Sequence, residues 1–90
     1  MFDILIKNGT VIDGTGKPGY RADLGISNGL ISAIGLIGST QSKKYLDAQD
    51  LVVAPGFIDM HSHSDTTMLS DPGGDTKAYQ GVTTEVVGNC

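Results

Sequence analysis

Ninety residues carrying a formal net charge of −4 and only six basic side chains allow one small domain with a marginal core. They exclude a nucleic-acid surface, which needs a stripe of Lys and Arg to replace phosphate counterions. One cysteine closes no internal disulfide, and no apolar run approaches the ~20 residues of a membrane span, so nothing points to an oxidising compartment or a membrane.

Asp3 and a short apolar run also speak against a signal peptide in MFDILIKNGTVIDG, which leaves the cytoplasm as the expected location. Residues 1–54 read as β. Phe2, Ile4 and Ile6 alternate with Asp3 and Lys7, the period of a half-buried strand. Asn8-Gly9 is then expected to turn the chain into Thr10-Val11-Ile12. Residues 23–27 and 30–34 flank Asn28-Gly29, the dipeptide best suited to the positive φ angles of a type I′ hairpin. Residues 39–44 form a polar connector, with Lys43-Lys44 as a solvated loop. Tyr45-Leu46-Asp47-Ala48 and Leu51-Val52-Val53 follow as short strands around a Gln49-Asp50 turn.

The character changes at Pro55-Gly56, where a missing amide hydrogen and a permissive backbone predict a break between units. Phe57-Ile58-Asp59-Met60 is a short apolar strand. A turn at Asp71-Pro72-Gly73-Gly74 precedes Asp75, a helix N-cap ahead of residues 76–80. Gly81 stops that helix, and residues 82–87, rich in β-branched side chains, form another strand. Strand, helix, strand over this length is a βαβ unit, which implies parallel pairing.

The chemistry gathers around PGFIDMHSHSD, residues 55–65. Side chains at i and i+2 of a strand leave the same face, about 6.5–7 Å apart along the chain. His61 and His63 can therefore converge on one ion, with Ser62 expected to point away. Asp59 shares their face, where it would accept an imidazole N–H and fix the tautomer. Asp65 follows close behind. Cys90 ends the next parallel strand, on the rim that carboxyl ends of such strands share, and zinc accepts both sulfur and nitrogen. Blander roles fit each residue alone. A lone H-x-H also describes a surface pair, a single cysteine is commonly a buried small hydrophobe, and isolated aspartates form turns. Only the cluster points to a metal.

Two motifs carry no chemistry. Gly14-Thr15-Gly16-Lys17-Pro18-Gly19 fits the spacing of a dinucleotide loop, but Pro18 interrupts it and a strand follows instead of a helix. Asn8-Gly9-Thr10 matches a glycosylation sequon without a secretory signal to give it meaning.

An N-terminal β segment, a Pro-Gly junction and then G-F-I-D-x-H-x-H resemble the opening of the amidohydrolase superfamily. Residues 80–90, QGVTTEVVGNC, resemble its D-aminoacylase branch, the N-acyl-D-amino-acid deacylases, in which a cysteine after the second barrel strand binds metal. The resemblance implies a mainly β chain with an α/β start: residues 1–54 as the N-terminal part of a small β-sandwich, and residues 55–90 as the first strands of a truncated (β/α)8 barrel. It implies a cofactor of one or two zinc ions, with His61, His63 and Cys90 as ligands; Asp59 and Asp65 are expected behind them from their place in the sequence. The general-base aspartate and the later histidines are expected beyond residue 90, so no catalytic residue lies within the chain. The implied substrate is an N-acyl-D-amino acid, hydrolysed to a D-amino acid and a carboxylate. Other readings are a dihydroorotase, hydantoinase or isoaspartyl dipeptidase, or a non-catalytic β domain serving assembly.

Taken alone, the ninety residues are expected to be inactive, since two barrel strands enclose no site. The remainder of its own chain is the natural partner of the apolar strands. Without it, Phe57, Ile58, Val82, Val86 and Val87 predict self-association, or loss of order after about residue 60. Alternation back from Cys90 places Thr84, Val86 and Gly88 inward and Glu85 outward, towards the helices, unless a bulge near Gly88 resets the phase.

Overall fold

The computed structural model describes residues 1–38, 40–60 and 75–87. The chain divides into two compact units, Met1–Pro55 and Gly56–Cys90.

In the first unit, β1 (Phe2–Val11) lies at the heart of a five-stranded sheet. Strand β2 (Tyr20–Ser27) runs antiparallel along one edge of β1, and β3 (Leu30–Gly35) runs antiparallel along β2. Along the other edge, β4 (Ser42–Asp47) and β5 (Val52–Val53) both run parallel to β1. Asn28 and Gly29, at φ 53° and 76°, form the β2–β3 turn that the sequence predicts. The Asn28 backbone N–H donates to Asp3 Oδ2 at 2.8 Å, which ties the turn to the start of β1.

Asn8-Gly9 does not turn the chain. Strand β1 runs through it with a bulge, Asn8 at φ 70°, and the register to β2 slips between Ile6 and Gly9. The strand is held on both edges here, so the bend that Asn-Gly favours is taken up by one extra residue. Asn8 is held from two sides: its backbone N–H donates to Asp23 Oδ1 at 2.8 Å and its side-chain amide to Asp47 Oδ1 at 3.2 Å. The extra residue also resets the alternation. Ile6 pairs with Leu24 and Gly9 with Ala22, so Ile6, Gly9 and Val11 share a face despite their numbering. That face carries the core, in which Val11, Ala22 and Leu24 are buried with Ile6 and Val53 packed against them. Leu5, of the opposite phase, is fully buried. Both faces of β1 are therefore covered in part, where strict alternation implies one solvated face.

Lys43 and Lys44 are strand residues, not a loop. The unsatisfied edge of β1 recruits the chain early, pairing Phe2 with Ser42 and Ile4 with Lys44. Lysines on an edge strand keep that edge soluble. Between β4 and β5 the turn at Asp50, φ 62°, falls beside the β1 bulge. There the Ala48 N–H donates to Lys7 O at 2.8 Å and the Thr10 N–H to Leu51 O at 3.0 Å. A Cβ on Gly9 would lie 2.5 Å from Val53 Cγ2, so only glycine fits where the bulge and this excursion meet. The glycine-rich stretch after β1 is a loop, as its sequence implies. Asp13 Oδ1 accepts the Thr15 N–H at 3.1 Å and the Thr15 hydroxyl at 2.6 Å, and β2 follows at once.

The second unit is a βαβ arrangement: β6 (Phe57–Asp59), α1 (Asp75–Tyr79) and β7 (Val82–Glu85), with β6 and β7 parallel. The helix begins at Asp75 itself, and Gly81, at φ 87°, ends it. Two 3₁₀-type bonds close its last turn, Gln80 N–H to Lys77 O at 3.0 Å and Gly81 N–H to Ala78 O at 2.9 Å. The Phe57 N–H donates to Gly81 O at 2.8 Å, fixing the start of the strand pair.

Candidate metal centre

The site is approached from the carboxyl ends of β6 and β7. Asp59 ends β6 and is the register partner of Glu85, which ends β7. The backbones lock at this level, where the Val86 N–H donates to Asp59 O at 2.8 Å. His61 follows Asp59 by two residues in sequence. His61, His63 and Asp65, and likewise Cys90, lie outside the described residues. So does the turn expected at residues 71–74. Among the described residues, no group of three His, Cys, Asp or Glu side chains is arranged to hold a metal ion.

Asp59 is the one proposed site residue whose surroundings are described. Its carboxylate receives a charge-assisted hydrogen bond from Lys77 on α1, Nζ to Oδ2 at 2.5 Å. The sequence gave no hint of Lys77, and the imidazole it proposed as a partner of Asp59 lies outside the described residues. The hydrogen bond to Asp59 raises the Lys77 ammonium above the ordinary lysine value, against the opposing effect of desolvation, and the charges of Asp59 and Glu85 add to the rise. As register partners of a parallel pair, Asp59 and Glu85 share one face, whereas the sequence phase set Asp59 with the histidines and Glu85 on the side facing the helices. The Glu85 Oε1 is buried with no hydrogen-bond partner among the described residues. Lys77 thus bonds one carboxylate, Asp59, and its ammonium feels the charge of a second, Glu85. Lys77 was legible only as a basic residue on the helix between two strands; nothing in its spacing singled it out.

Residues 44–90, more than half of the chain, match the Amidohydrolase family. The chain belongs to that family. Across 99% of its length this amidohydrolase chain is 48% identical to the D-aminoacylase of Alcaligenes xylosoxydans xylosoxydans, covering 18% of that protein. It is 39% identical, over 98% of its length, to the D-hydantoinase of Ralstonia pickettii, covering 20% of that one. Among solved structures, the N-acyl-D-glutamate deacylase of Bordetella bronchiseptica, complexed with zinc and a phosphonate inhibitor, superposes with a TM-score of 0.94 at 48% identity. That match takes in 99% of this chain and 19% of the deacylase. The chain thus spans about a fifth of the length of the relatives it matches. Its fold class is the amidohydrolase one, a β-sandwich start followed by the opening of a (β/α)8 barrel.

Proposed function

We propose that this chain is the opening part of a zinc-dependent N-acyl-D-amino-acid deacylase, with residues 1–54 contributing to the β-sandwich and residues 55–90 beginning the barrel. The observation that carries this reading is the 48% identity to a D-aminoacylase along nearly the whole chain, against 39% to a D-hydantoinase.

The donor set fits zinc. His61 and His63 offer two imidazole nitrogens and Cys90 a thiolate, all ligands that zinc takes. The parallel pairing of β6 with β7 brings the two stretches that lead to them side by side. When bound, zinc supplies Lewis acidity and lowers the pKa of water. The role of this chain's residues is to hold the ion: each imidazole presents a lone pair and the cysteine gives up its proton, so ion retention falls in acid. Asp65 is placed in sequence to support the ligands from behind. The later histidines and the aspartate that moves the proton from water to the leaving amine belong beyond residue 90. The substrate is then a small N-acyl-D-amino acid, released as a D-amino acid and a carboxylate. The ninety residues alone are expected to show no turnover. No helix among the described residues is long and apolar enough to cross a membrane, and the cytoplasm is the proposed location.

The test uses the intact protein. N-acetyl-D-amino acids, their L-enantiomers, a hydantoin and dihydroorotate are offered in turn, with bound zinc measured in wild type, His61→Ala and Cys90→Ser. Hydrolysis confined to D-acyl substrates, with zinc lost in both variants, is the expected result. Turnover of the cyclic amides alone would place the protein in another branch. Zinc content unchanged in both variants would remove these residues from the site.

A further inference from the structure

The stretches that lead to the proposed ligands are paired through their backbones, and a side chain from the helix between them bonds the end of one. Asp59 stands two residues before His61, and Glu85 five before Cys90. The two are register partners, so their backbones stand about 4.8 Å apart and their side chains leave the same face. Like charges facing each other across a strand pair repel. Lys77 is bonded to Asp59, and the charge of Glu85 also acts on its ammonium. The ion pair is partly withdrawn from water, with side-chain exposures of 39% for Lys77 and 24% for Asp59, so solvent does not fully screen it. No uncharged side chain would offset both carboxylates.

We propose that Lys77 is a positioning residue of the metal site: by bonding Asp59 beside Glu85 it ties α1 to the ends of β6 and β7, and so sets the spacing of the two chain segments that carry the zinc ligands. The proposal rests on the deacylase reading only in taking His61, His63 and Cys90 as those ligands. Its consequence falls on affinity for the ion, because a site preorganised by its supporting contacts binds more tightly than one that must be drawn together.

The experiment uses the intact protein in five forms: wild type, Lys77→Met, Lys77→Arg, Lys77→Met/Glu85→Gln and Cys90→Ser. Zinc affinity is measured by competition with a chromophoric chelator, and the thiolate-to-metal absorption band is recorded with cobalt in place of zinc. Lys77→Met is expected to weaken zinc binding by about 10- to 100-fold, the usual cost of losing a contact that orients metal ligands. Its cobalt band should shift. Lys77→Arg keeps the charge and should bind nearly as wild type does. Removing one of the two facing charges, in Lys77→Met/Glu85→Gln, should restore part of the affinity, which a merely structural role for Lys77 would not do. Wild-type affinity and an unshifted band in Lys77→Met, with zinc lost in Cys90→Ser, would overturn this proposal and leave the deacylase reading standing. Zinc retained in Cys90→Ser as well would overturn both. If Lys77→Met is insoluble, Lys77→Gln takes its place under the same criteria.

Discussion

Asp23 on β2 holds Asn8 at the β1 bulge, its Oδ1 accepting the Asn8 backbone N–H at 2.8 Å. Its other oxygen accepts the Ile37 N–H at 3.0 Å, beyond β3, and lies 3.6 Å from the Lys7 ammonium. One buried carboxylate thus satisfies the backbone at two places where the sheet ladder does not reach. Lys7 completes the arrangement by donating to Ile37 O at 2.7 Å. Asp23→Ala leaves both N–H groups without that acceptor and Lys7 without its counter-charge. A buried donor left unsatisfied costs about 1–3 kcal/mol, so a combined loss of about 2–4 kcal/mol is expected. Urea unfolding of the intact protein reads this as a lower midpoint at unchanged slope. A loss below about 0.5 kcal/mol would mean that water replaces the carboxylate.

The same residue sets a pH dependence. Burial is the strongest single influence on the Asp23 carboxyl and pushes it up, yet the N–H groups of Asn8 and Ile37 together with Lys7 hold it below the usual aspartate value. A folded-state value below the unfolded one means that the unfolded chain binds the proton more readily. The stabilisation is therefore complete above the unfolded value, about 3.9, and is lost as pH falls through it towards the folded value. Stability measured from about pH 6 down to pH 3 should fall more steeply in wild type than in Asp23→Ala. Parallel curves would show that Asp23 is not ionised differently in the two states.

Two glycines of the first unit are required for different reasons, and substitution separates them. Gly29 sits at φ 76° in open space, with nothing near its missing side chain. Gly29→Ala should cost about 1 kcal/mol of backbone strain alone. Gly9 has no positive φ, but an added Cβ would meet Val53 Cγ2 at 2.5 Å and Ala48 Cβ at 3.2 Å. Gly9→Ala should cost about 1–3 kcal/mol by overpacking. Truncating the neighbour in Val53→Ala should relieve part of the Gly9→Ala defect and none of the Gly29→Ala defect. Thermal unfolding of the single and double variants measures this as non-additivity for one pair and additivity for the other.

Much of this architecture was legible because it is local. Asn28-Gly29 between two apolar runs specifies its hairpin without help from the rest of the chain, and Gly81 stops its helix by backbone geometry. Asn8-Gly9 carries the same dipeptide and becomes a bulge, because β2 on one side and β4 with β5 on the other hold the strand straight. Those partners come from distant positions, Ala22 for Gly9 and the chain around residues 47 to 53 on the other edge, and no local rule reports them. Leu5 was hidden for a related reason: its burial depends on the side of β1 that alternation assigns to solvent. At the candidate site, the histidine pair and the cysteine stand out by residue type alone. Lys77 does not, since its meaning comes only from the register that sets Asp59 beside Glu85.

Gly56 shows how the Pro-Gly junction serves the second unit. The sequence suggested a glycine chosen for unusual backbone angles, but its φ is not among the positive ones. It is needed for space. A Cβ there would collide with Thr83 Oγ1 and lie 2.5 Å from Thr83 Cγ2, at the level where β7 begins beside β6. Gly56→Ala should therefore cost about 1–3 kcal/mol and loosen the start of the β6–β7 pair. Thr83→Ala in the same chain removes both nearest atoms but leaves the Thr83 Cβ at 2.8 Å, so the rescue should be partial. Hydrogen exchange at the Phe57 amide, which donates to Gly81 O at 2.8 Å, reports on this strand start. It should quicken in Gly56→Ala and slow again in the double variant, while Asn8 in the first unit keeps its protection. Equal exchange in all three proteins would mean that Thr83 turns aside at little cost and that the junction glycine answers to some other constraint.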